Sequence, residues 1–195
     1  PMFQKLHIQL TLLCTLVCTL ILALMSFLCL SVSEKESKKR SFADFQVNIN
    51  MLVNHLESQN VISHNWLSQF CTDTHFELDI QDSGSPLVFD TLTPFSLNEK
   101  DFAQVRQKAT AEYGMIETSI SANSALSAHA EFELSLNRKS YYGAMALIPK
   151  NGGTLNIAVL FPLSGLEETI QFQRLLFAGA DIGGLLLLGI FFWFF

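Results

Sequence analysis

The chain has 195 residues and a net charge of −6, from 12 Lys and Arg against 18 Asp and Glu, and 49% of it is hydrophobic. That acidic balance argues against nucleic acid as a partner, because a phosphate backbone selects basic surfaces. Cys14, Cys18 and Cys29 share one apolar stretch and Cys71 stands alone in the polar middle, so no disulfide framework forms there and cysteine usage does not identify a compartment.

The first element is an uncharged run, Leu10 to Leu30, with no ionised side chain between Lys5 and Glu34. At 1.5 Å per residue it is long enough to cross a hydrocarbon core of about 30 Å. A cleaved signal peptide is the rival reading; the apolar run is longer than a signal core, and SFLCLSVSE is a poor cleavage site. The expected organisation is therefore a tail over 1–9, a transmembrane helix over 10–32, a polar domain over 33–170, and a second transmembrane helix with its lead-in over 171–195. Lys35, Lys38, Lys39 and Arg40 follow the first span among Glu34 and Glu36, so charge bias by itself does not orient the chain.

From Phe42 the apolar residues Phe42, Phe45, Ile49, Leu52 and Leu56 recur at steps of three and four, the stripe of a helix that continues out of the first span. It covers the domain's own sheet or pairs with a second copy. Ser63 is placed to cap a short helix carrying Trp66, Leu67 and Phe70. The period then shortens to two: Phe76, Leu78 and Ile80 face one way, Glu77 and Asp79 the other. Asp82-Ser83-Gly84 is turn chemistry leading to a second strand at Leu87 to Phe89, the early part of which Pro86 restricts to an edge or to the strand's beginning.

A helix is expected over Leu97 to Tyr113, opened by a capping box of Ser96 and Glu99 and ended by Gly114. Three strands follow, His129 to Leu136, Tyr141 to Ile148 and Thr154 to Phe161, joined by the short turns Asn137-Arg138-Lys139 and Pro149 to Gly153. Ser164 and Glu167 repeat the capping box before the last helix. That helix carries one acid, Asp181, among Gly179, Gly183 and Gly184, and ends in FFWFF, an aromatic belt. A carboxylate there sits near the interface, is protonated, or finds a partner, which makes Asp181 a candidate for signal coupling alongside Phe45, Ile49, Leu52 and Leu56. The fold class is α+β: a five-stranded antiparallel sheet with helices over one face, flanked by two transmembrane helices.

VISHNWLSQF at Val61 to Phe70, the ELDIQDSGSPLVF hairpin and RLLFAGADIGGLLLLGIFFWFF from Arg174 resemble the extracytoplasmic PAS-like, or PDC-like, input regions of bacterial sensor histidine kinases, especially those of Gram-positive, clostridia-like bacteria. The resemblance implies a bacterial cell-membrane protein with its central domain outside. It implies a homodimer that senses an extracellular ligand or envelope protein, and a cytoplasmic kinase module beyond Phe195 that uses ATP and Mg and addresses a response regulator. None of His7, His55, His64, His75 or His129 has a phosphoacceptor context, so no cofactor is expected for this chain itself. The alternative is a membrane-anchored binding or assembly module without kinase coupling.

Chemistry inside the domain is thinly signalled. His75, Glu77 and Asp79, or His129, Glu131 and Glu133, alternate on strands; a solvated face gives the same pattern as a cation site. Cys71 and His75 lie together only if one helix holds both, and no third residue orients them. Asn151-Gly152-Gly153 reads as a hairpin turn, since no helix follows to make a phosphate cradle. Arg138, Tyr141 and Tyr142 are the ligand candidates, with donors and aromatic surface for a pocket between sheet and helices. For Arg138 the rival reading is an exposed turn residue.

Overall fold

A computed structural model describes residues 2–59, 61–87, 97–116, 127–150 and 153–194. It contains α1 (Met2–Ser58), α2 (His64–Thr74), β1 (Glu77–Asp82), β2 (Ser85–Pro86), α3 (Glu99–Tyr113), β3 (Ala128–Leu136), β4 (Lys139–Lys150), β5 (Gly153–Pro162) and α4 (Ser164–Phe194). The chain divides into two units: Pro1–Arg40 with Gly165–Phe195, and Ser41–Ser164.

The second unit is an antiparallel sheet in the order β2-β1-β5-β4-β3. Two tight turns fix its hairpins. Asn137 and Arg138 both have positive φ, 50° and 67°, as do Ser83 and Gly84, 49° and 80°. Such pairs make a two-residue turn whose twist matches that of the flanking strands. The β1–β2 hairpin is shorter than the sequence suggests: Pro86 ends the edge strand, Leu87 donates its N–H to Ile80 O at 2.8 Å, and Val88 and Phe89 lie outside the described residues.

Helices cover both faces of this sheet, not one. Pairing of Tyr142 with Phe161, Ala144 with Val159 and Ala146 with Ile157 defines one face, with Leu78 and Ile80 of β1 continuing it. Onto it the C-terminal part of α1 presents Phe45, Ile49, Leu52 and Leu56, each no more than 2% exposed, and α2 adds Leu67 and Phe70. Aromatic rings knit the layer: Phe45 lies 5.3 Å from Phe76 and 5.5 Å from Tyr142, and Phe70 meets Phe76 edge-on at 5.7 Å. The opposite face carries Tyr141, Met145, Leu147, Ala158 and Leu160, packed with Phe102, Val105 and Ala109 of α3. Strand β4 is therefore buried on both sides. Its uninterrupted apolar run Tyr141 to Ile148 has no polar position to spare for solvent.

Gly143 has a specific role on the α3 face. It pairs with Phe132 across the β3–β4 ladder, and a Cβ placed on it would come within 2.6 Å of Leu134 Cδ2 and 3.1 Å of Phe132 Cε2. The bare backbone makes room for Phe132, whose ring stacks on Tyr113 at 5.5 Å.

Local signals place the helices well. Ser63 caps α2, accepting the Trp66 N–H at 3.4 Å, and Gly114 ends α3 with φ 66° and its N–H on Thr110 O at 3.1 Å. The α3 capping box is displaced: Asn98 is the N-cap, and Asp101, buried, accepts the Asn98 N–H at 2.9 Å. Glu99 is the first helical residue, and Ser96 lies outside the described residues. Likewise α4 begins at Ser164 itself, so Ser164 stands within its first turn.

In the first unit, α1 and α4 each contain a stretch long and apolar enough to cross a membrane. On α1, the part-covered positions within 11–37 are Thr11, Thr15, Cys18, Thr19, Ser26, Leu30, Ser33, Glu34 and Ser37, a seam in which all but Leu30 and Glu34 are small. Thr15 and Thr19 hydroxyls donate to the carbonyls of Thr11 and Thr15 at 2.8 and 2.7 Å, so they need no outside partner.

Candidate functional site

Asp181 has a partner. The Ser26 hydroxyl donates to Asp181 Oδ1 at 2.6 Å, 155 residues away in sequence. Further along the same pair of helices, Ser33 donates to Gln173 Oε1 at 3.4 Å, and Arg174 grips Glu34 through Nε at 2.5 Å and Nη2 at 2.9 Å. From Ser26–Asp181 to the adjacent contacts Ser33–Gln173 and Glu34–Arg174, a rise of seven or eight residues on α1 goes with a fall of seven or eight on α4, so the contacts are rungs of one antiparallel helix pair. Small side chains permit close approach, and Gly183 and Gly184 on α4 are part-covered beside Asp181.

The rungs differ in physics. Arg174 is more than half exposed, and its fork on Glu34 holds that carboxyl below the usual carboxylate range by hydrogen bonding first and charge second. An exposed pair of this kind fixes geometry more than it adds stability. Asp181 and Ser26 lie within the apolar stretches, where few groups compete for the carboxylate and a lost hydrogen bond has no ready substitute.

In the second unit the polar connections converge on Arg106 of α3. Its Nη2 contacts Asp79 Oδ2 at 2.6 Å and donates to Asp79 O at 3.2 Å, while Nε donates to Asn156 Oδ1 at 3.3 Å. Arg106 therefore ties α3 to β1 and β5. On the α1 side of the sheet, Lys150 donates to the carbonyls of Leu56, at 2.5 Å, and Gln59, satisfying carbonyls that the end of α1 leaves open. Beside it His55 stacks on Trp66 at 3.6 Å.

The three ligand candidates do not share a site. Tyr141 points into the α3 layer and Tyr142 into the α1 layer, on opposite faces of β4, and burial raises both hydroxyl pKa values. Arg138 is an exposed turn residue. A groove of about 390 Å³ beside α3, lined by Gln104, Lys108, Glu112 and Leu134 among others, includes none of the three.

The metal and nucleophile readings also separate. Glu77 and Asp79 share the α3 face, whereas His129, Glu131 and Glu133 pair with Ala146, Ala144 and Tyr142 on the other face. Among the described residues no group of three or more His, Cys, Asp or Glu side chains could hold a metal ion. His129 Nε2 lies 3.3 Å from Glu131 Oε1, a pairing of two. Cys71 is 6% exposed and burial pushes its thiol up to about 12, so it is not a nucleophile at neutral pH. His75 stands after the helix end with φ 58°. The turn residues Asn151 and Gly152 lie outside the described residues.

Of the candidate coupling residues, Phe45, Ile49, Leu52 and Leu56 form one buried stripe in the second unit and Asp181 pairs with Ser26 in the first. Ser26 and Arg106 went unnoticed in the sequence. The small residues Thr11, Thr15, Cys18, Ser26 and Ser33, which fall on one helical face at steps of one or two turns, are the available signal for the first; nothing local marks the second. Comparison with family models, curated proteins and solved structures returned no match.

Proposed function

We propose that this chain is the signal-sensing and transmembrane-coupling region of a two-component sensor histidine kinase. In this reading α1 and α4 cross a bacterial cell membrane, both termini are cytoplasmic, and the PAS-like sheet domain is outside. It works as a homodimer, and a module beyond Phe195 supplies ATP- and Mg-dependent histidine phosphorylation to a response regulator. The observation that carries the reading is the continuity of α1, one helix from Met2 to Ser58 that contains an apolar stretch and then the buried stripe Phe45 to Leu56. Only Leu163 separates β5 from α4. A packing change that favours one of two arrangements of α1 is then passed along a stiff element.

The test uses the chain together with whatever its reading frame encodes after Phe195. One Ala inserted between Arg40 and Ser41 rotates the two parts of α1 by about 100°, and a seven-residue insertion restores the phase to within about 20°. Coupling predicts stimulus-dependent histidine phosphorylation that the first insertion changes and the second recovers. Absence of ATP-dependent phosphorylation, with binding of an envelope protein retained, would establish the anchored assembly module instead. Orientation is read separately by an impermeant thiol reagent on Ser85→Cys, an exposed position on the edge strand β2, since native Cys71 is buried. Labelling only after the membrane is opened sinks the external placement.

A further inference from the structure

We infer that α1 carries a binding site for an anionic phospholipid at the junction of its apolar stretch and the polar helix that follows, a site that rests on the membrane-spanning reading above. A cavity of about 590 Å³ lies along one face of α1 and is lined by Leu28, Cys29, Val32, Ser33, Glu36, Ser37 and Arg40. The volume falls within the range of small-ligand sites, about 300–1,000 Å³. Its chemistry is graded along the helix. Leu28, Cys29 and Val32 make an apolar floor, the Ser33 and Ser37 hydroxyls follow, and Arg40 closes the polar end. From Leu28 to Arg40 is about 18 Å of helix at 1.5 Å per residue, so one wall runs from acyl-chain depth to headgroup level.

Charge selects the occupant. Glu34, which precedes the polar end of the cavity in sequence, is engaged by Arg174. Within residues 35–40 the basic side chains are Lys35, Lys38, Lys39 and Arg40 and the one carboxylate is Glu36, while Lys38 also acts on Glu34. Arg40 has no carboxylate partner among the described residues, which leaves its planar fork for an outside oxyanion. A phosphodiester on Arg40, with the Ser37 hydroxyl beside it and an acyl chain over Val32 and Leu28, meets every part of the wall. Glu36 on the same wall disfavours a headgroup with more than one negative charge, so the fitting ligand is a singly charged phospholipid such as phosphatidylglycerol. This occupant would bias the same helix that the coupling mechanism moves.

The full chain, purified in detergent, is offered phosphatidylglycerol and phosphatidylcholine at equal amounts, and retained lipid is counted by native mass spectrometry. Wild type retains phosphatidylglycerol in preference. A basic residue at a membrane surface contributes about fivefold to anionic-lipid binding through charge alone, so Lys39→Gln, outside the cavity, sets the non-specific scale. Arg40→Gln lowers retention by more than Lys39→Gln does, Glu36→Gln raises it, and Val32→Trp lowers it without changing charge by filling the apolar floor. Equal losses for Arg40→Gln and Lys39→Gln, or no effect of Val32→Trp, overturn the site. Insertion is measured independently by carbonate extraction from membranes. A chain that inserts and shows no lipid preference refutes only this inference, whereas a chain that fails to insert removes the spanning reading and the lipid site with it.

Discussion

Replacing Arg106 by Ala tests whether α3 is fastened to the sheet by one side chain. Three contacts are lost: to Asp79 Oδ2 at 2.6 Å, to Asp79 O at 3.2 Å and to Asn156 Oδ1 at 3.3 Å. Hydrogen bonds to charged groups contribute about 1.5–3 kcal/mol when buried, and exposed ion pairs at most about 1 kcal/mol. The Arg106 side chain is 15% exposed and that of Asp79 25%, which places the pair between those limits and nearer the buried one. Loss of the cation leaves the Asp79 carboxylate partly covered without its counter-charge, and Arg106→Ala is expected to cost about 2–3 kcal/mol. Combined with Asp79→Asn in a double-mutant cycle, the pair should show a coupling of about 1 kcal/mol. The reporter is Trp66, which stacks on His55 and on Phe70 within the sheet unit. Trp193→Phe makes it the sole tryptophan, so its fluorescence in urea follows this unit and not the apolar helices. The Lys108–Glu112 pair is the control: i,i+4, with side chains 30% and 58% exposed, it should couple by about 0.3–0.5 kcal/mol. An Arg106→Ala cost no larger than that of Lys108→Ala would refute the fastening.

Asp181→Leu removes the acceptor of the Ser26 hydroxyl, whereas Asp181→Asn keeps one; the first should weaken the helix pair by about 0.6 and at most about 1.7 kcal/mol and the second by less, read by SDS-titrated unfolding of the full chain. Identical wild-type and Leu curves would remove this hydrogen bond from the pairing. Ile49→Ala and Leu52→Ala empty fully buried positions and should each cost about 2–5 kcal/mol by the Trp66 assay. Val47→Ala, on the exposed side of α1 at 61%, should stay within about 0.5 kcal/mol, and comparable losses at all three would mean the stripe is not the packed face. Cys71 should resist thiol reagents in the folded chain and react after unfolding. Because its folded pKa lies above the ordinary 9.0, at about 12, the thiol's contribution to stability is complete below about pH 9 and is lost as pH rises toward 12. Tyr141 and Tyr142, also raised by burial, act in the same alkaline direction, so Cys71→Ala should flatten the decline only in part. A decline left unchanged by the substitution would show that the thiol is not buried as described.

Much of the fold was legible because its signals are local. A run of apolar residues, a change of period from 3.6 to 2 at Phe76, a Ser before α2 and a Gly after α3 each act on neighbours in sequence, and the chain folds accordingly. The turn at Asn137-Arg138 belongs to the same class, since two residues able to hold positive φ suffice to reverse a strand. The start of α3 differs from the sequence expectation because Ser96 with Glu99 and Asn98 with Asp101 have the same spacing, and only the folded chain decides which pair closes the helix. Tertiary structure alone set β1 beside β5, placed helices on both faces of the sheet, and sent Tyr141 and Tyr142 into different layers. It alone brought Arg106 to Asp79 across 27 residues and Ser26 to Asp181 across 155. Such contacts depend on which surfaces meet once the whole chain has closed. A sequence records each partner's chemistry but not the distance between them.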